Sequence, residues 1–188
     1  MARLVKRSAA RGVAVAIALA CAAGLAPLHA GAARSEYDVK AAFLLNFARL
    51  VTWPQDARPG PGEPVVIGVA GDEAARDAIA RGIDGASVES HPVEVRSVAK
   101  PEQVSGAHIL FVTRELEQGA DALIEAARGG SALSVGESEG FAARGGIVNF
   151  FSEGNKLRFE INLDAARASG LQISSRLLGL ARLVETVE

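Results

Sequence analysis

Beyond Cys21 the chain contains no cysteine, so it can form no internal disulfide and offers no thiol nucleophile. Histidine is almost as scarce. His29, His91 and His108 are the only three, and no HExxH, CxxC or paired-His spacing occurs, which leaves a transition-metal centre little to build from. Aromatics make up 5% of the residues, with a single tryptophan and a single tyrosine. There is no basic block: 20 Lys and Arg face 22 Asp and Glu for a net charge of -2, and the electrostatic footprint of a nucleic-acid binder is missing. Acids are absent from the first 33 residues altogether.

That acid-free leader has its own pattern. Arg3, Lys6, Arg7 and Arg11 precede an apolar run from Val13 to Leu25, and small residues follow at Ala30-Gly31-Ala32. This is the three-part plan of a secretory signal peptide with an A-x-A cleavage site. The run is about 13 residues, short of the roughly 20 that a spanning helix needs. Cleavage after Ala32 removes four cations and no acid, taking the net charge from -2 to -6. The expected organisation is a signal peptide over 1–32 and one domain over 33–188. The expected location is the periplasm.

Residues Glu36 to Val51 read as a helix, with Val39, Phe43, Phe47 and Leu50 in one apolar stripe that Lys40, Asn46 and Arg49 interrupt. Pro54 and the Pro/Gly-rich stretch 58–64 mark a loop. Then the rhythm alternates. Val65–Val69 and His108–Val112 are short, continuous apolar runs that suit buried strands, Val93 to Val98 is a more polar strand, and Ala132–Val135 is a fourth. Helices are expected over Asp72–Arg81 and Glu115–Arg128, with Asp72 as an N-cap. Ile147–Phe151 and Leu157–Asn162 form a hairpin across a Gly/Asn loop. A short helix over Asp164–Ser169 and a last helix from Ser174 through Val184 close the chain. The fold class is α/β: a mixed, mostly parallel sheet of about six strands flanked by helices, with a C-terminal β-hairpin.

The search for reaction chemistry returns little. Gly68-Val69-Ala70-Gly71-Asp72 sits where a phosphate loop would lie, yet it lacks both G-x-G-x-x-G spacing and a Lys-Ser/Thr pair, so it reads as a plain strand-to-helix turn. Glu137 and Glu139 read as solvated loop carboxylates, since an acid/base pair would need both facing inward across a substrate. His108 reads as a structural residue at a strand end. Arg158 and Glu160, on one strand face, read as a local ion pair that could alternatively contact a ligand or partner. No catalytic, cofactor-binding or metal-binding residue is assigned, and no cofactor is expected.

Several blocks carry a resemblance. Tyr37-Asp38-Val39-Lys40-Ala41-Ala42-Phe43-Leu44-Leu45-Asn46-Phe47 runs on to Val51-Thr52-Trp53-Pro54. Later come Gly140-Phe141-Ala142-Ala143-Arg144-Gly145-Gly146-Ile147-Val148-Asn149-Phe150, then Leu157-Arg158-Phe159-Glu160-Ile161-Asn162-Leu163 and Leu171-Gln172-Ile173-Ser174-Ser175-Arg176-Leu177-Leu178. In this order they resemble the YfiR family of small exported bacterial proteins. The resemblance implies a periplasmic, non-enzymatic repressor of an inner-membrane diguanylate cyclase or related sensor. It also implies an outer-membrane lipoprotein that sequesters the repressor, and a homodimer. Disulfides of well-studied members have no counterpart here, so thiol-based redox control is excluded. Exposed aromatics with a few charges dominate contact surfaces, which nominates Phe43, Phe47 and Trp53, with Arg158 and Glu160 for electrostatic register. Core packing is the competing role for the phenylalanines. A periplasmic small-ligand-binding sensory module is the alternative function, because open α/β sheets bind small molecules beyond their strand ends.

Overall fold

The computed structural model describes residues 35–116 and 118–186; the expected leader over 1–32 lies outside the described residues. The first helix, α1 (Glu36–Leu50), starts where the sequence predicts. Ser35 caps it, with its hydroxyl accepting from Asp38 N–H at 3.2 Å while the Asp38 carboxylate accepts from Ser35 N–H at 2.8 Å. Extended backbone at Val51, ahead of Pro54, ends it, and the two-residue strand β1 (Val51–Thr52) follows.

The alternating segment is β2 (Val65–Ala70), α2 (Glu73–Ile83), β3 (Ser87–Val88), β4 (His91–Ser97), β5 (Ile109–Val112), α3 (Ala120–Gly129) and β6 (Leu133–Gly136). After it come β7 (Val148–Glu153), β8 (Lys156–Asn162), α4 (Leu163–Ala168), β9 (Gln172–Ile173), α5 (Ser175–Leu178) and β10 (Arg182–Val184). The main sheet has eight strands in the order β10-β8-β7-β6-β5-β2-β4-β3, and β1 pairs with β9 as a separate two-stranded ribbon. From β4 through β7 neighbours run parallel, while β7–β8 and β3–β4 are antiparallel. The mostly parallel α/β class and the hairpin therefore stand, with more strands than the six read from the sequence.

Two differences have clear causes. α3 begins at Ala120 instead of Glu115 because Gly119 takes a left-handed backbone (φ 86°) that helix cannot continue through. The expected long C-terminal helix stops at Leu178, and Arg182–Val184 instead forms β10, parallel to β8 with Leu183 opposite Ile161. Helical spacing of the leucines is overridden by pairing with a ready strand edge.

Two apolar layers cover the sheet. On one face, Leu44 and Phe47 of α1, Ile79 and Ile83 of α2 and Ala165 and Ala166 of α4 pack over Ile109, Phe111, Phe150 and Phe159. On the other, Leu123, Ile124 and Ala127 of α3 pack with Leu110, Val112 and Phe141. β5 thus alternates its side chains between both cores, as pleating requires. Phe141 is clamped between two glycines: a Cβ on Gly136 would lie 2.3 Å from its ring and one on Gly146 2.2 Å, so neither position accepts a side chain. That clamp fixes the backbone that leads from β6 into Glu137.

Candidate functional site

Parallel strands β2, β5 and β6 end side by side, and the chain passes from β2 to β4 on one flank before returning to β5 on the other. Such a switch point, at the carboxyl ends of the strands, is where open α/β sheets hold ligands. Here Arg114 follows β5 and Glu137 follows β6, while the first turn of α1 brings Glu36, Tyr37 and Lys40 to the same edge.

These side chains lock onto one another. Lys40 is 0% exposed, and its Nζ donates to Glu36 Oε1 at 2.5 Å and to Glu137 Oε2. The ammonium also lies 4.7 Å from the centre of the Tyr37 ring. Glu137, whose side chain is 1% exposed, accepts from the Tyr37 hydroxyl at 3.1 Å and from Arg114 N–H at 3.0 Å, both on Oε1. Arg114 closes the ring with Nη2 3.0 Å from Glu36 Oε1 and Nε 3.7 Å from Glu137 Oε1. Two cations face two carboxylates, so no net charge is left over. Hydrogen bonding to Lys40 holds the Glu36 carboxyl below its usual range. Burial, reinforced by the Glu137 charge, pushes the Tyr37 phenol up.

The ring borders a cavity of about 400 Å³, walled by Phe150, Phe151 and Leu157. Its floor is saturated: both Glu137 oxygens are engaged and Lys40 spends its protons on two carboxylates and an aromatic face. The outer members of the ring, Glu36 and Arg114, keep about half of their side chains toward solvent, at 52% and 54%. Glu139, two residues on, is exposed and lines the same cavity, while Glu137 is buried. Glu137 itself, expected in solvent, is buried, because α1 delivers a lysine to it from 97 residues away. No group of three or more His, Cys, Asp or Glu able to hold a metal occurs among the described residues. Nor is any described helix long and apolar enough to cross a membrane.

The residues nominated as contact anchors are distributed differently. Phe47 is fully buried, its ring 5.3 Å from Phe159 and stacked at 5.8 Å on Phe150, which makes it core. Phe43 is half-buried and edge-on to Phe150 and Phe159 at 5.7 Å. Trp53 is 7% exposed and donates from Nε1 to His108 O at 3.2 Å, so it is no protruding anchor. Arg158 is half-exposed and pairs with Glu153 at 3.4 Å, not with Glu160. Glu160 is buried, accepting from Asn149 at 3.1 Å and from Arg182, because β10 sets Arg182 directly opposite it. Among the described residues, the exposed large apolar ones are instead Leu180 and Leu183, at 65% and 56%. The ring of Glu36, Tyr37, Lys40 and Arg114 was missed in the sequence. Its one local signal is a lysine on the flank of α1 that carries Ala41, Leu44 and Phe47.

Comparison with proteins of curated function gives no significant match. Among solved structures, a conserved domain protein from Vibrio cholerae superposes with a TM-score of 0.57 at 11% identity, over 79% of this chain and 60% of that one. The ABC domain from Streptococcus pneumoniae, in complex with L-Trp, superposes with a TM-score of 0.51 at 12% identity, over 74% of this chain and 59% of that one. The chain thus spans about 60% of each of these structures. At such identities they show shared architecture alone. The family model described as YfiR/HmsC-like (DUF4154) matches residues 37–182, from the tyrosine of the α1 ring to the arginine opposite Glu160. The chain belongs to the YfiR/HmsC-like family.

Proposed function

We propose that this protein is an exported periplasmic regulator that holds an inner-membrane diguanylate cyclase inactive, keeping cyclic-di-GMP low through protein contact and without chemistry of its own. The observation that carries this reading is the family match over residues 37–182. The closed ring at the strand ends agrees with it, since the place where an α/β enzyme keeps its reactive groups is filled by the protein's own salt bridges. Export through the leader over 1–32 brings the domain to the compartment where such a cyclase displays its sensing segment. The nucleotide stays cytoplasmic, so no nucleotide site is required.

Contact energy concentrates in a few apolar anchors ringed by polar groups. With Phe47 and Trp53 buried, that role falls to Leu180 and Leu183 on and beside the β10 edge, with half-exposed Arg158 on neighbouring β8 for electrostatic steering. An outer-membrane lipoprotein that competes for the same surface would release the cyclase. Deleting the gene is expected to raise cellular cyclic-di-GMP, and expression of the full chain, but not of a chain lacking residues 1–32, is expected to restore it. Leu183→Ser should fold normally, being a surface change, yet fail to restore repression. Unchanged cyclic-di-GMP in the deletion strain across growth conditions refutes the proposal.

A further inference from the structure

The main sheet has two edges, and the chain guards them differently. At one edge β3 pairs with the first two residues of β4, and Pro92, Glu94 and Arg96 put a missing N–H and two charges along that strand, the usual devices against stray pairing. At the other edge β10 has a neighbour on one side alone. The register decides which of its backbone groups face out. Asn162 N–H donates to Ile147 O at 2.8 Å, so alternate residues of β8 bond to β7 and Ile161 turns its N–H and C=O toward β10. Leu183 stands opposite Ile161 in a parallel ladder, so Arg182 C=O and Val184 N–H meet Ile161, and the N–H and C=O of Leu183 point away from the sheet. Nothing among the described residues bonds to them.

β10 is pinned from within. Arg182 donates from Nε to Glu160 at 3.1 Å, its guanidinium lies 4.1 Å from the centre of the Phe151 ring, and Asn162 Nδ2 donates to Thr186 Oγ1 at 2.8 Å. The one charge of β10 that could guard the edge is thereby engaged. Leu183 is left at the open rim, beside a cavity of about 670 Å³ that Leu163, Asp164, Arg167 and Glu185 help to line. Asp164 is matched by Arg167 at 2.9 Å, whereas exposed Glu185 has no ion pair among the described residues. The cavity therefore carries one unspent negative charge, one residue past the end of β10.

We propose that β10 is the docking edge for an extended segment of the membrane partner, which adds as a further strand and carries an apolar residue followed or preceded, two positions away, by lysine or arginine. This rests on the repressor reading and says how its contact is made. The segment takes up the N–H and C=O of Leu183, as in other cases of strand addition. Side chains two apart on a strand share a face, so the apolar one covers Leu183 while the basic one reaches Glu185, whichever way the segment runs. A second copy of β10 brings Arg182, already engaged, and another Glu185, so the cation comes from a different chain. Main-chain bonds attach the segment and the apolar-x-basic pattern selects it.

The exported chain would be titrated by calorimetry with the peptide acetyl-Thr-Val-Thr-Val-Thr-Lys-Thr-amide and with its counterpart carrying glutamate for lysine. Two further versions are methylated on the backbone, one on the valine and lysine nitrogens and one on the threonine nitrogens, which blocks one side of the strand or the other. Saturable binding of the parent is expected, with the glutamate peptide at least about tenfold weaker and one methylated peptide at least about tenfold weaker than the other. Glu185→Lys should reverse the preference between the lysine and glutamate peptides. Amide exchange followed by NMR supplies the position: with peptide bound, Leu183 N–H should exchange about tenfold more slowly, while Val184 N–H, already bonded to Ile161, should not change. No saturable binding at millimolar peptide overturns the proposal. So does equal binding of the two methylated peptides, protection confined to residues away from β10, or self-association of the chain that the peptide cannot displace. Capture of a cyclase without peptide binding sinks the strand mode alone, and peptide binding without capture of a cyclase sinks the repressor reading alone.

Discussion

Replacing Lys40 with methionine removes one member of a buried ion pair and leaves the other in place. The Lys40 and Glu137 side chains are each 1% exposed, so the orphaned Glu137 carboxylate cannot recover water. Breaking such a pair costs about 3–5 kcal/mol. Glu137 keeps the Tyr37 hydroxyl and Arg114 N–H, which places Lys40→Met near the lower end, about 3 kcal/mol. For a domain of this size that lowers Tm by roughly 6–12 °C. Glu36→Gln touches the same lysine, but its side chain is 52% exposed, so it should cost less than about 1 kcal/mol. Replacing the pair together, Lys40→Met with Glu137→Gln, removes the buried charge while keeping an acceptor for the Tyr37 hydroxyl and Arg114 N–H, and the double variant should recover most of the loss. Urea unfolding of the three variants forms the assay. If Lys40→Met and Glu36→Gln cost the same, or if the double variant is less stable than Lys40→Met alone, the ring is not the buried clasp described here.

Other consequences follow from the same structure. Phe159→Ala should cost about 3–5 kcal/mol, measured by denaturant unfolding, because the ring is buried against Phe43 and Phe47. His108 is held below its usual range in the folded state, so the unfolded chain binds the extra proton first. Stability is therefore full above about pH 6.5 and falls as the pH drops below it, a dependence that His108→Gln should flatten. Glu36 adds a separate loss at lower pH, beginning as the pH falls through the normal carboxylate range and continuing toward its depressed native value. Tyr37 is the single tyrosine, and its phenol should resist ionisation beyond its usual pKa of about 10; near-ultraviolet titration should show phenolate only when the fold opens.

Much of the fold was legible because local chemistry and global pattern agree. The start of α1, the exit at Pro54, the Asp72 cap and the alternation from Val65 to Val135 all announce themselves within a few residues. The failures share a cause. Arg182–Val184 has helical spacing behind it but a strand edge beside it, and only the tertiary structure reveals the edge. β1 and β9 are two residues each, too short for any period to register. The Lys40–Glu137 clasp joins residues 97 apart, so the lysine reads as a blemish in a stripe and the glutamate as a loop charge. Glu160 likewise finds Arg182 across the sheet before it can use Arg158 two residues away.

The claim that this chain acts by touching a membrane signalling enzyme meets its sharpest test in capture of the tagged, exported protein from membranes. A transmembrane diguanylate cyclase should be recovered with the full chain, lost with Leu183→Ser, and slowed when purified chain is added to it. Recovery of no transmembrane protein, or of a cyclase whose rate the purified chain leaves unchanged, would contradict the account.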